Sequence, residues 1–320
     1  MSAPERIEVA PVQQAYEAVR AAVSGVIVGQ EEPIRLAFLT LLCSSHSLFE
    51  GVPGVAKTLL VRTLARSLSL EFGRVQFTAD LMPSDITGIP VFHPATAEFR
   101  FRPGPVFTDL LLADEINRAS AKTQAALLEA MQERFVTVDG TRHALGECFT
   151  VFATQNPVEQ EGTYPLPEAE LDRFLFKVEV GYPDEAAEQE LLRRQHGSDP
   201  VLESIEPVLS GPDLTRLREI VSSLIVRDEI IAYVSELVRA SRADAQYALG
   251  ASPRAGLQLL RAAKALAAIE GRDFVLPEDI QTLWIPALHH RVVLDPAAEV
   301  EGLEAETALS RTLASVTVPR

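Results

Sequence analysis

One stretch restricts the fold of this 320-residue chain more than any other. The run Ser47-Leu48-Phe49 leads into Glu50-Gly51-Val52-Pro53-Gly54-Val55-Ala56-Lys57-Thr58, and Leu59 to Leu64 follows with helical character. A strand that ends in a glycine turn and reopens as a helix beginning Lys-Thr has the layout of a phosphate-binding loop. Backbone N–H groups can converge on phosphate oxygens and the helix N-terminus adds positive potential. Lys57 can reach the outer phosphates, and the Thr58 hydroxyl can ligate Mg²⁺. The general pattern has Gly immediately before the Lys. Ala56 stands there instead, which calls for a negative φ on the brink of the helix. A glycine turn with an incidental Lys-Thr would read the same, so the decision rests on residues further along.

Leu110-Leu111-Leu112-Ala113-Asp114-Glu115 is an uninterrupted apolar run ending in two carboxylates. Continuous burial suits an inner strand of a parallel sheet, and the carboxyl end is where such sheets place ligands. Asp114 can hold the Mg²⁺, directly or through water, leaving Glu115 to polarise an attacking water. Between this strand and the loop, Arg74 to Phe77 reads as a strand. Ile89–His93 and Glu98–Arg102 read as a hairpin, with Phe99 and Phe101 on one face and Arg100 and Arg102 on the other. Ser120 is placed to cap a helix over Ala121–Glu133. Asp139-Gly140 between alternating runs marks a second hairpin. The strand Cys148–Thr154 then ends at Gln155-Asn156-Pro157, where Asn156 can contact the γ-phosphate or its water; a plain turn Asn reads equally well. After the strand Leu175–Val180 only helical patterns remain: 185–194, 213–224, 228–242, 253–269 and 277–284. An α/β unit over residues 1–182 followed by an all-α unit over 183–320 is the expected organisation.

Composition removes several alternatives. Apolar residues make up 47% and charged ones 23%, as in an ordinary globular chain. No stretch reaches the roughly 18 uncharged apolar residues of a membrane helix, and the first 20 residues do not read as a signal peptide, so a cytoplasmic site is expected. Cys43 and Cys148 have no CxxC or His spacing and read as buried reduced thiols. His289-His290 lacks a third partner for a metal site. A net charge of −16 argues against a general nucleic-acid binder.

These motifs together resemble the MoxR family of AAA+ ATPases, within the helix-2-insert group. The resemblance rests on Glu50–Thr58, Leu112–Ala119, Ala153–Pro157, Glu161–Ala169, Leu171–Phe174, Ser252-Pro253-Arg254 and Leu276–Ile280, and spans most of the chain from Val28 to Pro296. It implies a P-loop core with a five-stranded parallel sheet, the loop strand central, and an all-α lid. It implies ATP and Mg²⁺ as ligands, held by Gly51, Val52, Pro53, Gly54, Val55, Ala56, Lys57 and Thr58, with Gly29 and Gln30 bordering the adenine. By the same likeness Asn156 is the first sensor, Arg254 the second, and Arg173 the arginine finger offered to a neighbouring subunit, with Arg118 as the other candidate. The implied assembly is a homo-oligomeric, hexameric ring that remodels or matures a partner carrying a von Willebrand factor A domain. A DNA-handling AAA+ motor, a magnesium-chelatase-like subunit and a nucleotide-binding scaffold remain as alternatives, the first supported only by Arg100, Arg102 and Arg142.

Overall fold

The computed structural model describes residues 7–52, 54–156, 163–195 and 205–319; Pro53, Pro157, Glu161 and Gly162 from the motifs above lie outside the described residues. The chain begins with α1 (Ala10–Ser24), α2 (Glu31–Leu42), β1 (Ser47–Glu50) and α3 (Lys57–Ser67). There follow β2 (Phe72–Gln76), α4 (Pro83–Thr87) and the hairpin β3 (Gly88–His93) and β4 (Glu98–Pro103). Next come β5 (Leu110–Asp114), α5 (Ala121–Glu133), the hairpin β6 (Phe135–Val138) and β7 (Thr141–Ala144), β8 (Thr150–Gln155), α6 (Glu168–Leu171) and β9 (Phe176–Glu179). The rest is helical apart from a two-stranded ribbon: α7 (Glu185–Gln195), α8 (Gly211–Ser223), α9 (Asp228–Ala243), β10 (Tyr247–Leu249), α10 (Pro253–Ile269), α11 (Pro277–Leu288), β11 (Val293–Leu294), α12 (Pro296–Val300) and α13 (Ala305–Ser315).

Five strands form one parallel sheet in the order β2-β5-β8-β1-β9. The loop strand β1 is interior but not central, which corrects the sequence expectation. The middle place belongs to β8, inserted between β5 and β1. That insertion has a functional consequence: the end of β8, with Thr154 and Asn156, falls between the acidic end of β5 and the phosphate loop. Inner strands are apolar on both faces because both are covered. Phe49 and Phe152 stack at 5.4 Å on one face, in the core formed with α1, α2, α3 and the helical part. Leu111, Ala113 and Val151 face the second core under α5 and the hairpins.

The helical part closes against the sheet's β9 edge. Ser252 caps α10, its Oγ accepting from Ala255 N at 3.1 Å, and Pro253 and Pro277 occupy first-turn positions where a missing N–H costs nothing. The helix α11 runs on through Pro286 to Leu288, beyond the expected end at Trp284. The Trp284 Nε1–H donates to Leu309 O at 3.0 Å and fixes α13, a helix no sequence motif announced.

Candidate active site

The loop after β1 is shaped by close approaches. A Cβ on Gly51 would lie 2.3 Å from Val180 O, so only glycine lets the chain pass β9, and Gly54 has φ +88°. Ala56 has φ +60° and ψ +20°, in the left-handed region. This overturns the expected negative φ: the turn closes only if its last residue reverses the backbone, and the methyl group packs against the core beneath. Below the loop, the Gln30 amide donates to Val55 O at 2.8 Å from a position only 7% exposed. Gly29, with φ +73°, is packed so tightly that an added Cβ would lie 2.5 Å from Ala187 Cβ. The two brace the loop from behind, and neither is among the residues lining the cavity at its phosphate side.

That cavity has a volume of about 350 Å³ and is lined by Lys57, Thr58, Asp114, Glu115, Thr154 and Asn156, with the loop from Gly54 to Ala56. In this state Lys57 Nζ donates to Gly51 O. Burial pulls its ammonium below the ordinary value, while Asp114, Glu115 and Glu50 push the other way. Thr154 ties the acidic pair together: its Oγ1 donates to Asp114 Oδ1 at 2.6 Å and accepts from Glu115 N at 2.8 Å. The other Asp114 oxygen accepts from Arg74 Nη2 at 2.7 Å. Glu115 has φ +56° and ψ +50°, a left-handed kink that swings its carboxylate out of the strand direction. There it accepts from Gln76 Nε2 at 2.7 Å and pairs with Arg118 Nε at 3.1 Å.

Arg173 and Arg254 are not in this cavity. They line a second one, of about 180 Å³, together with Arg134, Arg261 and His46. Its walls join Cys43–His46, which precede β1, and Arg173 and Leu175, which precede β9, to the end of α5 and to α10, so it lies at the amino ends of these strands, whereas the first cavity lies at their carboxyl ends. Arg173 Nη1 donates to Leu128 O at 3.1 Å and to Gln132 Oε1. Its neighbours are gripped by the helical part: Ser252 Oγ donates to Asp172 Oδ1 at 3.2 Å, Arg291 Nε lies 3.7 Å from the same oxygen, and Phe174 O accepts from Arg291 Nη2 and, at 3.0 Å, from the His290 imidazole. Burial is the largest influence on Arg291 and brings its guanidinium down to about 10, against the raising effect of Asp172.

The two hairpins also differ from a simple alternating face. Phe92 and Phe99 pair at 5.4 Å at the tip and are 50% and 70% exposed. Phe101 instead stacks on His143 of the second hairpin at 3.9 Å and meets Phe107 edge-on at 5.4 Å. Phe99 and Phe101 share a side of β4, as the alternation predicts, but Phe99 is exposed whereas Phe101 is covered by His143 and Phe107.

A family model described as "ATPase family associated with various cellular activities (AAA)" matches residues 46–176, and an "AAA lid domain" model matches 239–312. The chain is 44% identical over 307 residues to Chaperone MoxR1 of Mycobacterium tuberculosis, covering 93% of this chain and 81% of that protein. This chain belongs to the MoxR family of AAA+ ATPases. It is 33% identical to Protein MoxR of Paracoccus denitrificans, covering 89% and 90% of the two chains. A crystal structure of a protein assigned as an ATPase from Cytophaga hutchinsonii is similar with a TM-score of 0.91 at 40% identity, covering 98% of this chain and 97% of the other.

Of the residues read from sequence, this MoxR-family chain brings Lys57, Thr58, Asp114, Glu115 and Asn156 to one cavity and sets Arg173 and Arg254 together elsewhere. Four further residues at these sites carried no assigned role. Thr154 had no motif of its own within a familiar strand end. Gln76 and Arg74 become visible only once β2 is known to pair with β5, in the register Gln76↔Asp114. Arg134 caps α5 in a left-handed turn and donates to Phe149 O and Ser44 O, which the sequence does not signal. The donor set fits Mg²⁺: the Thr58 hydroxyl and the Asp114 carboxylate, both oxygen donors, line the same cavity.

Proposed function

We propose that this MoxR-family chain is an ATP hydrolase that couples turnover to remodelling or maturation of a partner protein with a von Willebrand factor A domain, and that it does so as a cytoplasmic ring, a hexamer. The observation that carries the reading is the division of the charge. Acceptor-side residues Lys57, Thr58, Asp114, Glu115 and Asn156 sit at the carboxyl ends of the strands, and the paired arginines sit at the amino ends. A head-to-tail stack brings the second set to the first, and such a heterologous contact closes into a ring when the rotation permits. The nucleotide part is taken as residues 1–182 and the lid as 183–320.

On this reading Lys57 leaves Gly51 O for the outer phosphates, and Arg74 leaves Asp114, freeing the carboxylate to hold Mg²⁺ with Thr58. The bound cation would neutralise phosphate charge and orient the oxygens. Glu115, released from Gln76 and Arg118, polarises the attacking water, and Asn156 holds it in line. Arg173 and Arg254 of the adjoining copy stabilise charge on the transferred group, a term worth about 10³-fold or more for such arginines. The exposed Phe92–Phe99 tip is the partner-facing surface.

The test is nucleotide binding and phosphate release by two variants. Lys57→Ala is expected to lose both, because its ammonium meets the ground-state phosphates. Glu115→Gln is expected to keep binding while turnover falls at least 10²-fold. Equal loss of affinity in the two would overturn this assignment.

A further inference from the structure

A third concavity, of about 820 Å³, lies between α8 and α10 where Leu42, Cys43 and Glu147 approach the amino ends of β1 and β8. On α10 its wall is Leu257, Leu260, Arg261 and Lys264, a single helical stripe that is apolar at one end and basic at the other. Arg218 of α8 reaches its floor: Nε and Nη1 donate to Leu41 O and Glu147 O at 2.7 and 2.9 Å, and Nη2 is buried with no hydrogen-bond partner among the described residues. Leu257 and Ile231 on the rim are 61% and 46% exposed. Arg218, Arg261 and Lys264 outnumber Glu147 and Glu219 around this apolar trough, which makes it slightly basic in a chain of net charge −16, and Lys264 Nζ donates to Ser222 O at 2.8 Å. The carboxylates that also line it, Glu147 and Glu219, are exposed at its edge. The groove is continuous with the arginine cavity, because Cys43, Ser44 and Arg261 line both.

The complementary surface is α7. It departs from the opposite, carboxyl ends of the strands and covers Gly29 through Ala187, the one buried side chain among those described in this helix. Glu185 and Glu188 are exposed, and Leu192 is 63% exposed. Both features lie on the side of the sheet covered by α1 and α2: α7 sits over the strap between these helices, and the groove opens at the end of α2. On the ring reading, stacking carboxyl ends onto amino ends would bring α7 of one copy to the side of the next on which the groove opens.

We infer that α7 of one copy seats in the α8–α10 groove of the neighbouring copy, Glu185 and Glu188 meeting Arg261 and Lys264, and Leu192 covering Leu257 and Ile231. This rests on the ring reading above and gives it a second contact, distinct from the nucleotide. An amphipathic helix laid in a groove between two others is a recurrent mode of recognition.

The test is sedimentation velocity of the full chain with a non-hydrolysable ATP analogue at low salt, where charge pairs are least screened. The groove pair Leu257→Asp/Lys264→Glu and the helix pair Glu185→Lys/Glu188→Lys are each expected to weaken assembly at least tenfold with the monomer's melting temperature unchanged. A chain carrying Arg261→Glu, Lys264→Glu, Glu185→Lys and Glu188→Lys together is expected to recover most of it. Failure of that chain to recover overturns the pairing of these surfaces. Native-like assembly by both pairs, with complementation between Arg173→Ala and Glu115→Gln copies intact, removes this contact and leaves the ring. A native chain that stays monomeric with the analogue removes both.

Discussion

Two non-glycine residues that bracket the phosphate cavity, Ala56 and Glu115, are held in the left-handed region, each at a cost of about 1 kcal/mol. Ala56→Gly is expected to relieve the first, raising stability by about 1 kcal/mol in thermal unfolding with nucleotide binding kept. A fall in melting temperature would show that the buried methyl contact outweighs the strain. Ala56 closes the turn rather than opening the helix, and local sequence does not distinguish these two places. His46 gives a second expectation. It is 5% exposed, its Nδ1 accepts from Val151 N at 2.8 Å, and burial lowers its pKa from 6.5 to about 3. The unfolded chain therefore binds the proton that the folded chain excludes. The contribution is fully present above pH 6.5 and is lost as pH falls from 6.5 toward 3, at up to about 1.4 kcal/mol per pH unit. Denaturant midpoints measured from pH 7 to 5 should fall less steeply in His46→Gln than in the native chain.

At the scale of elements, the hairpin β3–β4 divides into a free tip and an anchored base. Phe101→Ala should destabilise by about 2 kcal/mol, less than a fully buried ring, because it removes the contacts with His143 and Phe107. Phe99→Ala should leave the melting temperature and basal hydrolysis unchanged and abolish partner-stimulated hydrolysis. Steep loss of partner binding with salt, or stimulation by single-stranded DNA, would point to a nucleic-acid surface instead. Such an asymmetry between neighbours two residues apart is invisible to an alternating pattern, which reports side but not cover. The same limit explains the rest of the reading. The loop, the acidic strand, the Asp139-Gly140 hairpin and the helix over Ala121–Glu133 could be read locally, since turn chemistry, apolar runs and caps act within a few residues. The brace of Gln76 on Glu115 joins residues 39 apart, and the docking of Arg291 on Phe174 joins residues 117 apart. These depend on strand order and lid placement, to which no single segment is committed.

At the scale of the whole molecule, the proposed ring would make activity a property of the assembly, because the two cavities lie at opposite ends of the strands. Specific activity is expected to rise with protein concentration. Mixtures of Arg173→Ala and Glu115→Gln copies, each inactive alone, should regain activity, because some interfaces pair an intact Glu115 with an intact Arg173. Co-assembled mixtures that stay inactive would transfer the finger to Arg118. The grip of Ser252, His290 and Arg291 on the segment Asp172-Arg173-Phe174 has a further consequence, one of timing. Because the lid holds the residues on both sides of Arg173 while its guanidinium is tied to α5, a swing of α10 would pull that arginine against α5. In a ring, the movement that follows one hydrolysis would thus advance or withdraw a charge at the adjoining pocket, and the order of firing would be set by a rigid linkage, as an escapement releases one tooth before engaging the next.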